Sequence, residues 1–368
     1  MLFLELAASS LYGSHYTRIP KSLPSGISLK PLLKDESLTS TPLSIALLFP
    51  FSGPKATLGE SLRDAALLAL FDDPACQFFT LHPFDTENPV ALIEELHRFS
   101  PDVIIGPVFA PDTHKVLRDL KHLPPLFSLS NDPTLLGRGI FVMGFSPYEE
   151  MNFLLRFSIK EGHHRFVALF PETPLGQAME KYCKALLEEK NVQLKTIFYP
   201  LSDDLPLEKV QEWAHQINEF HPDAVFFPDG SPQSQRLVAL LKFKNFHYRG
   251  VRLLGSSQWD TPKVWKDFNL RGLWVSSYRS PAFQKFQKSF YEAYQGSGTS
   301  LGGIVYDIVR LIGAYHNQNE GRALSHHFFK RMQKEKGLQG PISFNADGSP
   351  QRVWFVFEHT GRGRKKIG

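Results

Sequence analysis

Few residues in this chain are of a type and spacing that could do chemistry. The histidine pairs His163–His164 and His326–His327 could in principle ligate a metal. Adjacent residues on a helix or turn point apart, however, and no carboxylate stands at a metal-binding spacing such as HExxH. Both pairs are expected to be surface or partly buried histidines. The acidic pair Asp203–Asp204 precedes a predicted helix, where capping is the expected role. An α/β serine hydrolase needs GxSxG on a strand-to-helix elbow, and the chain has none. A phosphate cradle needs spaced glycines and usually a Lys followed by Ser or Thr. Gly53 and Gly59 are separated by PKATL and no such pair follows, so this loop reads as a turn stiffened by prolines. Cys76 and Cys183 fit neither a zinc spacing nor a redox pair and read as two buried small hydrophobes. The chain is therefore expected to be no enzyme, with no catalytic residue, no metal and no cofactor.

The elements that position these residues start with Leu43 to Phe71. Leu43 to Phe49 is a short apolar run without helical period, a buried strand. Pro50, Ser52, Gly53 and Pro54 break the chain. Leu58 to Phe71, rich in Ala and Leu with Glu60, Arg63 and Asp64 to one side, is a helix. Strand, tight loop and helix at the head of an α/β chain put the loop at the carboxyl end of a first strand. Ligands bind there in open parallel sheets.

At 368 residues the chain is too long for one ordinary core, which predicts two lobes. Hydrophobic residues make up 42% and charged residues 21%, both globular values. The formal charge is +4, and the only dense basic block is the tail, Arg362, Arg364, Lys365 and Lys366. That pattern does not suggest nucleic-acid binding; the tail reads as a solvated end. Two cysteines suit a reducing compartment or an envelope protein that does not depend on disulfides. No apolar run approaches the roughly 20 residues of a membrane span. Met1 to Leu11 looks like the back half of a secretory signal, with Ala7, Ala8, Ser9 and Ser10 near a cleavage point. Residues 12 to 42, rich in Ser, Pro, Lys and Thr, read as a linker arm.

From Leu43 onward strand and helix alternate. Strands are expected at Gln77 to Leu81, Asp102 to Ile105, Leu126 to Leu129 and Ile140 to Met143, with helices at Asn88 to Phe99 and Asp112 to Leu120. A helix from Pro147 to Lys160 opens a second run. It holds strands at Phe166 to Phe170, Leu194 to Phe198, Ala224 to Phe227, Arg252 to Leu254 and Gly272 to Ser276. Alternation of this kind calls for parallel βαβ units with right-handed crossovers. Two such runs imply two similar lobes, alike in pattern without clear identity. Three helices then follow at Pro281 to Tyr294, Leu301 to His316 and Ala323 to Lys334. In the first, Phe283, Phe286, Phe290 and Tyr294 form a core stripe. Ile342 to Phe344 and Val353 to Glu358 flank NADGSP, a hairpin signal. The expected division is an arm at 1–42, a first lobe at 43–144 plus 277–337, a second at 145–276 plus 338–358, and a tail at 359–368.

Four segments, LLFPFSGPKATLG, DVIIGPVFAP, GGIVYDIVRLI and GLQGPISFNADGSPQRVWFVFE, stand in the order of the type I periplasmic-binding-protein fold. They resemble its leucine/isoleucine/valine-binding branch from about Leu43 to Glu358. LLGSSQWDTP, RGLWVSS and the YDIVRL helix look most like bacterial envelope proteins known as penicillin-binding-protein activators, which stimulate peptidoglycan synthases. The resemblance implies two Rossmann-like lobes with parallel sheets, three crossovers, a ligand cleft between lobes and no enzymatic activity. It suggests packing and capping near the hinge for Tyr306 and Asp307.

It also implies where a ligand would be held. Phe51 matches an aromatic of the first loop. In GPVFAP, Phe109 and Ala110 sit where small hydroxyl residues often bind the ligand carboxylate. FSLSND brings Ser128, Ser130, Asn131 and Asp132 to the same region. Asp132 falls where a Thr commonly helps hold the carboxylate, and an Asp there would repel it. Leu175 falls where an aromatic often stacks. Ser257 falls where a Glu holds the ligand's ammonium, a charge that Ser cannot supply. Both anchors of an amino-acid zwitterion are thus altered.

Two roles follow. The first is a non-enzymatic envelope module that supports peptidoglycan synthesis by contact with a synthase. The alternative is a substrate-binding protein that delivers an amino acid or related solute to an ABC transporter permease. There Asp229, Gln258 and Trp259 would join Ser130, Asn131 and Asp132 in a remodelled pocket. Either role belongs in the periplasm, with membrane anchoring expected if the native N-terminus is longer.

Overall fold

The computed structural model describes residues 42–76, 79–202, 204–230, 232–318, 324–325, 329 and 335–368. The secretory-signal remnant and arm, the helix at Ala323 to Lys334, His326–His327 and Asp203 fall outside these residues, apart from isolated positions.

The chain divides into two compact units. One runs from the start of the described residues to Phe145 and includes Arg279–Val353; the other is Ser146–Tyr278 with Trp354–Gly368. The first unit begins with β1 (Leu43–Phe49), α1 (Ala56–Asp72), β2 (Phe79–Asp85), α2 (Pro89–Phe99), β3 (Val103–Ile105), α3 (Ala110–Asp119), β4 (Leu126–Ser128) and β5 (Phe141–Val142). Its sheet has the order β2-β1-β3-β4-β5, with every pairing parallel. Ile45, Leu47 and Phe49 face one apolar core and Ala46 and Leu48 the other. Burial on both faces is why β1 reads as an unbroken apolar run rather than an alternating one.

The second unit repeats the scheme with α4 (Pro147–Lys160), β6 (Arg165–Pro171), α5 (Pro174–Glu189), β7 (Gln193–Tyr199), α6 (Leu207–Phe220), β8 (Ala224–Phe227), α7 (Pro232–Phe243), β9 (Arg252–Gly255), the short α8 (Pro262–Lys266) and β10 (Trp274–Ser277). Its parallel strands run β7-β6-β8-β9-β10, the same order as in the first sheet. Again the first strand alternates, Val167 and Leu169 to one core, Phe166, Ala168 and Phe170 to the other. The remaining elements are α9 (Pro281–Tyr294), α10 (Ser300–Gln318), β11 (Glu335–Gly337), β12 (Gly340–Ile342), β13 (Phe355–His359) and β14 (Arg364–Lys366). On α9, Phe283, Phe286 and Phe290 are buried in the first unit's core and Tyr294 packs against it.

Matching joints brace the two sheets. The turns before β3 and β8 both pass through a left-handed residue, Ser100 and His221, followed by Pro-Asp. The Asp102 carboxylate accepts from Ser44 N at 2.8 Å and Ser44 Oγ at 2.7 Å. The Asp223 carboxylate accepts from His164 N and Arg165 N at 2.8 and 2.9 Å. Each acid thereby fastens the start of its strand to the start of the neighbouring first strand. The first helices also close alike: Gly59 and Gly176 lie against the Pro50 and Pro171 carbonyls, where a Cβ would come within 2.1 and 2.0 Å of the oxygens.

The end of the chain differs from the sequence reading. Residues 338–353 belong to the first unit, not the second. NADGSP does make a tight turn, with a Phe344–Pro350 bridge and Asn345 N donating to Ser349 O. Its flanks do not form one hairpin: β12 pairs with β11, while β13 pairs antiparallel with β10. The basic tail is not a solvated end. β14 pairs with β13, and Arg364 Nη1 lies 2.6 Å from the buried Asp260 carboxylate. Four basic residues on one short segment hide a strand, because an edge strand can carry charge along its exposed side. Burial pushes both the Cys76 and Cys183 thiols up to about 12, in keeping with inert packing residues.

Candidate functional site

In the first unit the sequence-predicted residues gather at the carboxyl ends of β1, β3 and β4. Phe51 follows β1, 5.9 Å centroid to centroid from Phe49, and its N–H donates to Asp85 Oδ1 at 2.9 Å. Phe109 precedes α3 with its ring under Lys55 Nζ at 4.3 Å, and Lys55 also pairs with Glu87 at 3.5 Å. Ser128 is fully buried; its hydroxyl shares a 2.9 Å hydrogen bond with Thr113 Oγ1 and lies within reach of Pro107 O and Ser130 N. Ser130 Oγ accepts from Asp132 N. Asp132 caps a turn, accepting from Thr134 N at 2.9 Å and Thr134 Oγ1 at 2.8 Å. The Asn131 amide donates to Phe145 O at 3.3 Å. These side chains therefore hold their own strand-end turns. Asp132 has the short-range partners of an Asx turn, which SNDP encodes.

In the second unit the structure draws Asp229, Ser257, Gln258 and Trp259 together at the ends of β8 and β9. Tyr199 Oη donates to Asp229 Oδ2 at 2.8 Å, and Trp259 Nε1 donates to Asp229 O at 2.9 Å. Gly230 N donates to Gln258 Oε1 at 3.2 Å. Trp259 is fully buried, 5.9 Å from Phe227 centroid to centroid, and is a core residue rather than a lining one. Leu175 opens α5 and is 53% exposed.

Ser257 carries the most informative contact. Both its backbone N–H and its hydroxyl, the latter at 3.1 Å, donate to the Glu150 carboxylate. Ser276 Oγ donates to the same group at 2.5 Å. Glu150 comes from the first turn of α4 and is buried with Met151, Leu154 and Ser158. Burial raises its pKa, against the pull of the Ser276 and Ser257 hydrogen bonds. The sequence reading missed Glu150. Its signal was its place on the helix: positions 150, 154 and 158 share one face, so an acid there stands on the apolar stripe.

The remaining motifs are structural. Tyr306 Oη donates to Asp72 Oδ2 at 3.0 Å. Asp307 is buried on α10 and accepts from Leu338 N at 2.8 and 2.9 Å; burial pushes its carboxyl up to about 7. His163 Nδ1 lies 2.9 Å from Ser158 O, with its ring edge-on to Trp274. Among the described residues no group of three or more His, Cys, Asp or Glu could hold a metal. No helix among them is long and apolar enough to cross a membrane.

Two α/β units with strand order 2-1-3-4-5, each with polar side chains at its strand ends, define a binding-protein architecture. The family model for periplasmic binding proteins matches residues 82–364, and the chain belongs to that family. An uncharacterised protein of Rickettsia prowazekii is 24% identical over 332 residues, 85% of each chain. The leucine-binding protein LivK of Thermotoga maritima shares the fold, with a TM-score of 0.63 and 16% identity over 89% of this chain and 98% of that one. LpoA of Haemophilus influenzae does so with a TM-score of 0.67 and 16% identity, over 89% of this chain and 59% of that one. These neighbours are of the two kinds the sequence resembles, and the type I periplasmic-binding-protein fold is the one found.

Proposed function

We propose that this protein is a non-enzymatic envelope protein of the penicillin-binding-protein activator type, which acts by contact with a peptidoglycan synthase rather than by carrying an amino acid. The observation that carries this reading is the turn of Ser257 onto Glu150. In the amino-acid receptors that the sequence resembles, a Glu at this position reaches for the ligand's ammonium. Here a neutral side chain stands in its place, and both of its donors are spent on a carboxylate from the same unit. A ligand ammonium would have to supply its own desolvation without that charge-assisted bond, which contributes roughly 1.5–3 kcal/mol. Asp132, where a carboxylate anchor would stand, adds repulsion.

Calorimetry with leucine and other zwitterionic amino acids should give no micromolar binding. The purified protein should bind a peptidoglycan synthase and raise its rate of glycan or peptide cross-link formation. Micromolar leucine binding that Ser257→Ala abolishes, with no effect on the synthase, would overturn the proposal. A second reading, solute capture for an ABC transporter, draws support from the partly exposed Asp229 carboxylate beside the exposed Gln258 and from the likeness to a leucine-binding protein. Binding of a small cationic or hydroxylated solute, lost in Asp229→Ala, would favour it.

A further inference from the structure

The second unit presents a surface that none of this uses. Three large aromatic side chains near the end of α7 and around α8 lie open to solvent: Phe243 at 74%, Phe268 at 65% and Tyr248 at 46% exposure. They come from separate segments, and Lys242 draws these together. Its ammonium sits 4.3 Å over the Tyr248 ring and donates to Asn269 O, next to Phe268. The turn after β13 joins the same face, since a Cβ on Gly361 would meet the Phe268 ring at 3.3 Å and Arg271 Cδ at 3.4 Å. The same segments carry the exposed cations Arg249, Lys266, Arg271 and Arg362, with Lys244 half-buried 5.9 Å from the Phe243 ring. None of the five is ion-paired among the described residues, and Asp267 is the one acid within these segments.

Exposed aromatic rings ringed by Lys and Arg have a specific physical complement. Rings of this kind settle at the boundary between acyl chains and headgroups, while the cations meet headgroup phosphodiesters. The unpaired cations call for an anionic partner, and exposed rings on segments that Lys242 ties together form an apolar patch whose complement on an anionic surface is an acyl layer. We propose that this face docks on an anionic phospholipid bilayer, with Phe243 and Phe268 as the inserting side chains and Lys244, Arg249 and Lys266 as the headgroup contacts. Lys242 is the strut that holds the segments in place; burial lowers its pKa below the ordinary lysine value. The inference is independent of which partner or solute the strand-end loops serve.

The test is flotation of the full chain with vesicles of phosphatidylcholine alone and of phosphatidylcholine mixed with phosphatidylglycerol. The protein should float with the mixed vesicles and not with the neutral ones. The charge-reversal variant Lys244→Glu/Arg249→Glu/Lys266→Glu should weaken partitioning by at least a hundredfold, since each cation lost near an anionic surface costs about fivefold and each added acid is repelled besides. Phe243→Ser/Phe268→Ser should weaken it by about tenfold and leave a residue that high salt removes. Circular dichroism and the melting temperature of both variants should match wild type, because Phe243, Arg249, Lys266 and Phe268 are exposed and the half-buried Lys244 makes no ion pair among the described residues. Failure of the wild type to float, equal flotation of the charge-reversal variant, or binding to polyglutamate without binding to vesicles would each overturn the proposal.

Discussion

The two units can be compared joint by joint, and their first strand-to-helix turns are the most telling pair. In the first unit the chain leaves β1 through Pro50, makes a short turn over Gly53–Lys55 and enters α1 with no side-chain cap. In the second it leaves β6 through Pro171 and enters α5 at once, with Thr173 Oγ1 accepting from Gly176 N at 3.0 Å. The loops differ in length and chemistry, yet Gly59 and Gly176 meet the same kind of proline carbonyl. The common element is steric: the helix must approach the strand end so closely that no Cβ fits. The loops are free to vary because they only need to deliver the glycine there.

If that close approach is what the halves share, filling it should do the most damage. Gly59→Ala and Gly176→Ala should each destabilise by about 3 kcal/mol, because the added methyl meets rigid backbone rather than a movable side chain. Urea unfolding followed by circular dichroism would measure both. Gly59→Ala should be the worse, since its Cβ would come within 2.7 Å of Pro50 C, whereas a Cβ on Gly176 would stay 3.1 Å from Pro171 C. A loss below about 1 kcal/mol at either site would break the comparison.

The outline of this repeat was legible in the sequence, and the reason is physical. Parallel strands buried on both faces leave apolar runs, and Leu43–Phe49 and Phe166–Phe170 stand out without any reference to a partner. Pro-Asp before β3 and β8 is an equally local signal that the sequence reading did not use: a Pro disfavours helix at the residue before it, so the helix ends there. Less legible was anything set by distant pairing. Val353 to Glu358 looked like half of a hairpin because NADGSP turns tightly, yet its partner is β10, some eighty positions earlier. The tail carried too much charge to look like a strand, and only Asp260 explains Arg364. Of the positions the resemblance marked, Phe51, Ser130, Asn131 and Asp229 lie in strand-end loops, while Ser128 closes β4 and Leu175 lies in α5; the partners of Ser257 and Asp132 depend on which neighbour turns toward them. Glu150 was visible only as an acid on an apolar stripe, with nothing local to say what it would meet.

The units differ in what is added to the shared frame, and buried acids show it. The second unit's Glu150 sits on its opening helix and holds Ser257 and Ser276. The first unit's Asp307 sits on α10 and holds Leu338 N. Its carboxyl rises from 3.8 to about 7 through burial. Between those values the folded state binds a proton that the unfolded chain releases. Its contribution to stability is therefore full below about pH 4, falls as pH rises, and is gone above about 7. Asp307→Asn should gain stability relative to wild type as pH goes from 4 to 7, then run parallel to it. Melting temperatures across that range would check this, and a constant offset would mean the carboxyl is ionised throughout.

The strand-start clamps should give a smaller and matched pair of effects. Asp102→Ala and Asp223→Ala each remove an acceptor of two hydrogen bonds at a sheet end, and each should cost about 1–2 kcal/mol. Asp223 should cost the more, because it is half-buried whereas Asp102 is exposed. Unequal effects in the reverse order would mean that the two sheets are not braced alike.

The smallest effect tests the point at which the halves part. Thr173 supplies one accepted hydrogen bond to the first turn of α5, so Thr173→Ala should destabilise by about 1 kcal/mol. The corresponding Lys55 caps nothing. Its contacts are a 3.5 Å pair with Glu87, at 50% and 32% side-chain exposure, and the Phe109 ring. Water and salt screen such a pair, and Lys55→Ala should change stability by no more than about 0.5 kcal/mol. Should Lys55→Ala match Thr173→Ala, the first turn would depend on its side chains as much as the second does. The glycine contact would then not be sufficient to set the helix.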